Sequence, residues 1–130
     1  MDVTLGPWTA EKSVDPKQGK PLAEAMGDEA RDTAKTAGFT PQEAPQGNPA
    51  KSGFTISGKV MKVSKEGNST KVKLMFTLWA DGTFSNVAPL AGDGEAQGSA
   101  SAEDAVRAIT ESRVNRLLEA IKSGRAAKAH

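Results

Sequence analysis

Lys71, Lys73, Met75 and Trp79 place two ammonium groups, a thioether and an indole at alternate positions, with one place skipped, along one short stretch of chain. If that stretch is extended, its side chains alternate with period two and these four share one side. An apolar spot ringed by lysines on an uncovered sheet marks a protein contact. With Lys59 added, the same set resembles the basic, aromatic platform used for single-stranded nucleic acid. That second reading has only one aromatic and lacks the consecutive aromatics of an RNA-recognition sheet. Two plainer readings compete: exposed lysines discourage strand edges from pairing with other chains, and Met75 and Trp79 are simple core if the face is covered.

No other constellation names a reaction. The one histidine, His130, is the last residue, where nothing orders it for acid–base work, so the Ser-His-Asp and Cys-His arrangements are missing. Gly47-Asn48-Pro49-Ala50-Lys51-Ser52 lacks the glycine directly before the lysine that a phosphate loop needs. Gly92-Asp93-Gly94-Glu95 does not continue into a calcium loop and reads as a solvated turn. Asp28, Glu29, Glu103 and Asp104 fall on helix surfaces rather than in a cleft, and Asn68-Ser69-Thr70 is accounted for by a turn. We expect no catalytic residue, no metal site and no cofactor.

The elements that must position the lysine-rich stretch are legible around it. Thr70–Ala80 alternates with Val72, Leu74, Phe76 and Leu78 toward a core, predicting a central antiparallel strand. Glu66-Gly67-Asn68-Ser69 closes a hairpin with Gly53–Lys65, in which Phe54, Ile56 and Val60 share one face and Met61 and Val63 the other. That change of phase, near Gly58, predicts a bulge or a strong twist. Asp81-Gly82 predicts a second turn into a weaker strand, Thr83–Leu90, and the glycine-rich Ala91–Ala100 fits either a bulged edge strand or a loop. Ser101 with Asp104 forms a capping box ahead of Val106, Ile109, Val114, Leu117, Leu118 and Ile121, and Gly124 stops that helix.

Upstream, Val3–Trp8 reads as a strand at an edge or a strand end, because Pro7 has no N–H to give. Thr9–Lys20 reads as a loop. Pro21–Ala37 is the first helix, ended by Gly38 and the apolar Phe39. Residues 40–52 read as a proline-rich surface connection. The fold expected is α+β, a two-layer sandwich of a mostly antiparallel sheet with two helices packed on one face, in the order β-α-β-β-β-α. Residues 1–124 form one domain and 125–130 a frayed basic tail.

Composition agrees with one domain. The chain has 130 residues, 37% of them hydrophobic, enough for a core. Lys and Arg number 17 against 16 Asp and Glu, so no strong overall field steers nucleic acid or acidic substrates. There is no cysteine, which excludes disulfides and thiolate chemistry, and no apolar run reaches the roughly 20 residues of a membrane span. Two readings of the amino terminus stay open: a natural cytoplasmic start, or a domain edge from which a signal or lipid-anchoring cysteine has been removed.

Gly53-Phe54-Thr55-Ile56-Ser57-Gly58-Lys59-Val60, then Val72–Gly82, then a helix near the end, resembles the periplasmic α/β domain of curli-secretion lipoproteins, penicillin-binding-protein activator lipoproteins and the TolB amino-terminal domain. Asp81-Gly82 lacks the residues those families carry between Asp and Gly. The resemblance implies a non-enzymatic, periplasmic, envelope-associated domain that binds another protein, joins an envelope complex or self-associates. A phage or secretion-machine assembly subunit, and a small nucleic-acid-binding module on the open sheet face, are the alternatives.

Overall fold

Alternation along β4 (Ser69–Ala80) organises the molecule: Val72, Leu74, Phe76 and Leu78 are buried, and Lys71, Lys73 and Met75 are exposed on the reverse face. The structure, a computed structural model, describes residues 1–84, 90–97 and 101–124. The elements are β1 (Asp2–Ala10), α1 (Pro16–Thr36), β2 (Thr40–Glu43), a 3-10 turn at Pro45–Gly47, β3 (Phe54–Glu66), β4, β5 (Thr83–Phe84), β6 (Leu90–Gln97) and α2 (Ala102–Lys122). The order across the sheet is β2-β1-β3-β4-β5, with β6 also on β4. Both helices cover one face, so the α+β two-layer class expected from the sequence holds.

The sheet is mixed rather than a simple meander. β1 runs parallel to β2 and to β3, whereas β3, β5 and β6 run antiparallel to β4. Parallel neighbours need a crossover, and α1 supplies it between β1 and β2. β1 is therefore interior, not at an edge. Pro7 is accommodated because it falls where the β1–β3 register shifts between Leu5 and Trp8, so no ladder bond is asked of it.

Helix α1 begins five residues before the expected Pro21. Asp15 is its N-cap, with Oδ1 accepting from the Lys17 N–H at 2.9 Å, and Pro16 occupies the first turn while Pro21 lies inside the helix. Its stop follows expectation: Gly38 has φ +89°, and the Gly38 and Phe39 N–H groups donate to the Lys35 and Ala34 carbonyls at 3.0 and 2.9 Å. Phe39 is buried just beyond. The Lys122 ammonium at the end of α2 donates to the Ala37 carbonyl at 2.6 Å and lies 5.4 Å from the Phe39 ring centre, which ties the two helix ends together.

The β3–β4 hairpin turns at Gly67-Asn68, as expected, with Gly67 at φ +61°. Its bulge is at Met61, where the register shifts between Val60 and Lys62, not at Gly58. The shift returns Val63 to the core side opposite Val72, contrary to its expected position. Gly58 serves close packing instead: a Cβ there would stand 2.5 Å from Met26 Sδ and 2.8 Å from Trp8 Cζ3.

Residues 40–52 are not only a connection, since Thr40–Glu43 form the edge strand β2. Leu90–Gln97 pairs with β4 from Phe76 to Ser69, so Gly92–Glu95 is strand rather than turn. The capping box of α2 is present, with Ser101 Oγ accepting from the Asp104 N–H at 3.2 Å and Asp104 Oδ2 from the Ser101 N–H at 3.4 Å. The middle of the expected Thr83–Leu90 strand, residues 98–100 and the tail with His130 lie outside the described residues.

Candidate protein-binding face

The helices leave one side of the sheet uncovered, and the strand registers decide what stands there. On β4 this side carries Lys71, Lys73, Met75, Thr77 and Trp79; opposite them on β3 lie Ser64, Lys62, Lys59, Ser57 and Thr55 in turn. Lys71, Lys73 and Met75 are exposed, and Met75 at 36% is, with Met1, one of two large apolar side chains left exposed among the described residues.

Trp79 sits differently from the other three. It is half-buried, and its Nε1–H donates to Ser57 Oγ at 3.0 Å. Its register partner Thr55 is fully buried, with Oγ1 accepting from the Ala50 N–H at 3.0 Å. The connection before β3 is also pinned there: Asp81 Oδ1 accepts from the Gly53 N–H at 2.7 Å, and the Gly53 carbonyl from the Asp81 N–H at 2.8 Å. The indole thus forms the fixed end of the face, and Met75 with the lysines its open part.

The registers place Lys59, which the sequence sets beside the four residues, on the same face and add one lysine, Lys62, that it does not. Lys59 lies opposite Met75 and makes an ion pair with Glu11 at 3.0 Å. Lys62 lies opposite Lys73, brought there by the bulge at Met61, a shift the one-residue phase change in the sequence signals but misplaces. On the far side of β4, Asp93 and Glu95 of β6 are the register partners of Lys73 and Lys71.

Like charges directly opposite each other on one sheet face repel, by about 0.2–1 kcal/mol. We expect Lys62→Gln to raise stability by a few tenths of a kcal/mol in low salt, with the gain shrinking at high ionic strength. Urea unfolding at two salt concentrations measures it, and an unchanged midpoint in low salt contradicts it.

The candidate carboxylates have structural partners. Asp28 pairs with Arg31 at 3.4 Å; Arg107 reaches Glu103 at 3.6 Å and Glu29 of α1 at 3.9 Å, joining the two helices; Asp104 is in the capping box. Among the described residues no group of three or more His, Cys, Asp or Glu is placed to hold a metal ion, and no helix is long and apolar enough to cross a membrane. Gly47–Ser52 runs from the 3-10 turn into β3, without the helix a phosphate loop requires.

No protein-family model matches the chain, and no curated protein matches it by sequence. Solved structures share its fold. The PelC dodecamer from Paraburkholderia phytofirmans superposes with a TM-score of 0.65 at 14% identity, over 89% of this chain and 86% of that one. The hypothetical protein CT253 from Chlamydia trachomatis gives 0.64 at 9% identity, over 89% and 94%. Lipoprotein GNA1162 from Neisseria meningitidis gives 0.57 at 10% identity, over 91% and 98%. The fold is thus shared with a bacterial lipoprotein and with a protein that forms dodecamers.

Proposed function

We propose that this chain is a non-enzymatic, envelope-associated assembly domain that binds another protein, a second copy of itself included, through the outer face of β3 and β4. The observation that carries this reading is Met75, exposed on the side of the sheet opposite both helices, with Lys59 across from it, Lys62, Lys71 and Lys73 toward the hairpin and Trp79 toward the other end. An exposed apolar side chain bordered by polar ones is the arrangement of a protein interface. Trp79, held by Ser57, supplies a rigid aromatic at the end of the patch.

The fold likeness supports the setting. GNA1162 is a lipoprotein, and PelC assembles as a dodecamer; both fit a periplasmic domain that works by association, as does the resemblance to curli-secretion and penicillin-binding-protein activator lipoproteins.

The test is assembly of the purified chain, followed by sedimentation, and capture of partners from the envelope fraction. Met75→Asp, Lys73→Glu and Trp79→Ala are each expected to reduce association at least tenfold, with Met75→Asp and Lys73→Glu keeping a cooperative unfolding transition. The reading fails if all three variants assemble and capture partners like the original chain.

A further inference from the structure

Strand β1 outlasts its neighbour. β2 pairs with β1 only from Asp2 to Leu5; the Ala44 N–H then donates to the Leu5 carbonyl at 3.2 Å, and the chain turns away through Pro45–Gly47. Beyond its register shift β1 runs on through Trp8, Thr9 and Ala10, paired with β3 alone. The Glu11 N–H donates to the Val60 carbonyl at 2.8 Å. Since main-chain groups alternate between the two edges of a strand, Thr9 also faces β3, and the N–H and C=O of Trp8 and Ala10 face the side that β2 has left. Among the described residues no strand lies there.

The same segment walls a cavity of about 570 Å³ between β1 and the first half of α1, lined by Trp8, Ala10, Val14, Gly19 and Ala23. Gly19 lets the helix close on β1, since a Cβ there would stand 2.8 Å from Ala10 Cβ, and Ala23 leaves space beside the indole. Four charged side chains stand around the cavity. Glu11 is engaged by Lys59 at 3.0 Å, whereas Lys12, Lys20 and Glu24 make no ion pair within 4.0 Å among the described residues. The α1 amino terminus at Pro16 also borders it, with no acidic residue in the first turn. The Asp15 carboxylate caps that terminus and offsets its dipole, so the cations at this end are the side chains of Lys12 and Lys20.

We propose that this edge and groove bind an extended peptide segment of a partner protein, added as a strand beside Trp8–Ala10. An extended backbone presents an N–H and a C=O on one edge every two residues, about 6.6 Å, the repeat at which Trp8 and Ala10 offer theirs. The segment seats a small apolar side chain against Trp8 above Ala23 and directs a carboxylate to Lys12 and Lys20. This site shares no residue with the Met75 face and stands or falls separately from it.

The experiment pans a display library of random nine-residue peptides on the intact chain, then titrates the synthesised winners while following amide exchange. Selected peptides are expected to alternate β-branched residues, to carry an acidic residue toward one end, and to protect the Trp8 and Ala10 amides. Ala10→Pro, which removes an edge N–H without touching the β3 ladder, is expected to weaken binding at least tenfold, and Met75→Asp to leave it unchanged. The combination of Lys12→Glu and Lys20→Glu weakens it several-fold. A winner N-methylated at its edge-facing positions repeats the test on the unaltered chain and is expected to lose tenfold as well. The proposal is overturned if no peptide is enriched, or if the N-methylated peptide binds equally and the Trp8 and Ala10 amides exchange freely. It is also overturned if the chain dimerises through this edge and Ala10→Pro abolishes that, since the occupant is then a second copy.

Discussion

Phe76→Ala is expected to lower stability by about 3–5 kcal/mol, which on a domain of ordinary total stability, about 5–15 kcal/mol, leaves a substantial unfolded fraction. The ring is fully buried in the central strand, with Gly58 of β3 and Leu90 of β6 as its register neighbours and the helical layer above it. Removing it costs the transfer energy of the ring and leaves a cavity, and strands hydrogen-bonded on both sides cannot close together to fill it. The adjacent residue gives the contrast. Met75→Ala, one step along the chain but on the open face, is expected to change stability by no more than about 0.5 kcal/mol, while weakening association if the proposed interface is right. Urea unfolding of the two variants side by side separates the roles of the two faces. Equal midpoints for Phe76→Ala and Met75→Ala would refute the assignment of core and surface.

That division was legible from the sequence because β4 buries one face only, so Val72, Leu74, Phe76, Leu78 and Ala80 recur at every second position and alternate with more exposed residues. The capping box at Ser101 and the Gly38-Phe39 stop were legible for a related reason: each is a local hydrogen-bond pattern written in adjacent residues. What failed to show was decided by main-chain pairing. Thr40–Glu43 has no buried side chain and has β1 as its one strand partner, so its composition reads as loop. The first turns of α1 bury only Gly19 before Leu22, which left Pro21 as a more attractive start than Pro16. The parallel direction of β1 depends on where α1 returns the chain. Within the candidate face, Lys71, Lys73, Met75 and Trp79 follow from alternation, whereas Lys62 arrives only through the bulge at Met61. The β1 groove was invisible because it depends on where β2 stops.

Gly58→Ala is expected to destabilise the chain by about 1–3 kcal/mol, although alanine in a strand ordinarily gains about 0.5–1 kcal/mol over glycine through backbone entropy. The added Cβ would meet Met26 Sδ at 2.5 Å and the Trp8 ring at 2.8 and 2.9 Å, each too close for a real contact. The thioether is flexible and can swing aside. The indole is more confined, because Gly27 of α1 lies against its pyrrole end, where a Cβ would stand 2.7 Å from Trp8 Cδ1, and it can yield only toward the groove beside Ala23. Trp8 is thus flanked by glycines on two elements, and either substitution must push the ring toward the groove or part the helix from the sheet. Adding Met26→Val to Gly58→Ala should recover only the part of the loss owed to the thioether, whereas adding Trp8→Leu should recover more, because the pinched ring is then gone. Unfolding midpoints of the singles and doubles decide between these, and full recovery by Met26→Val alone would mean that the ring has room to move. The same ring lines the β1 groove, so a Trp8 freed in that way would also blur the pocket in which a partner strand is proposed to seat its side chain.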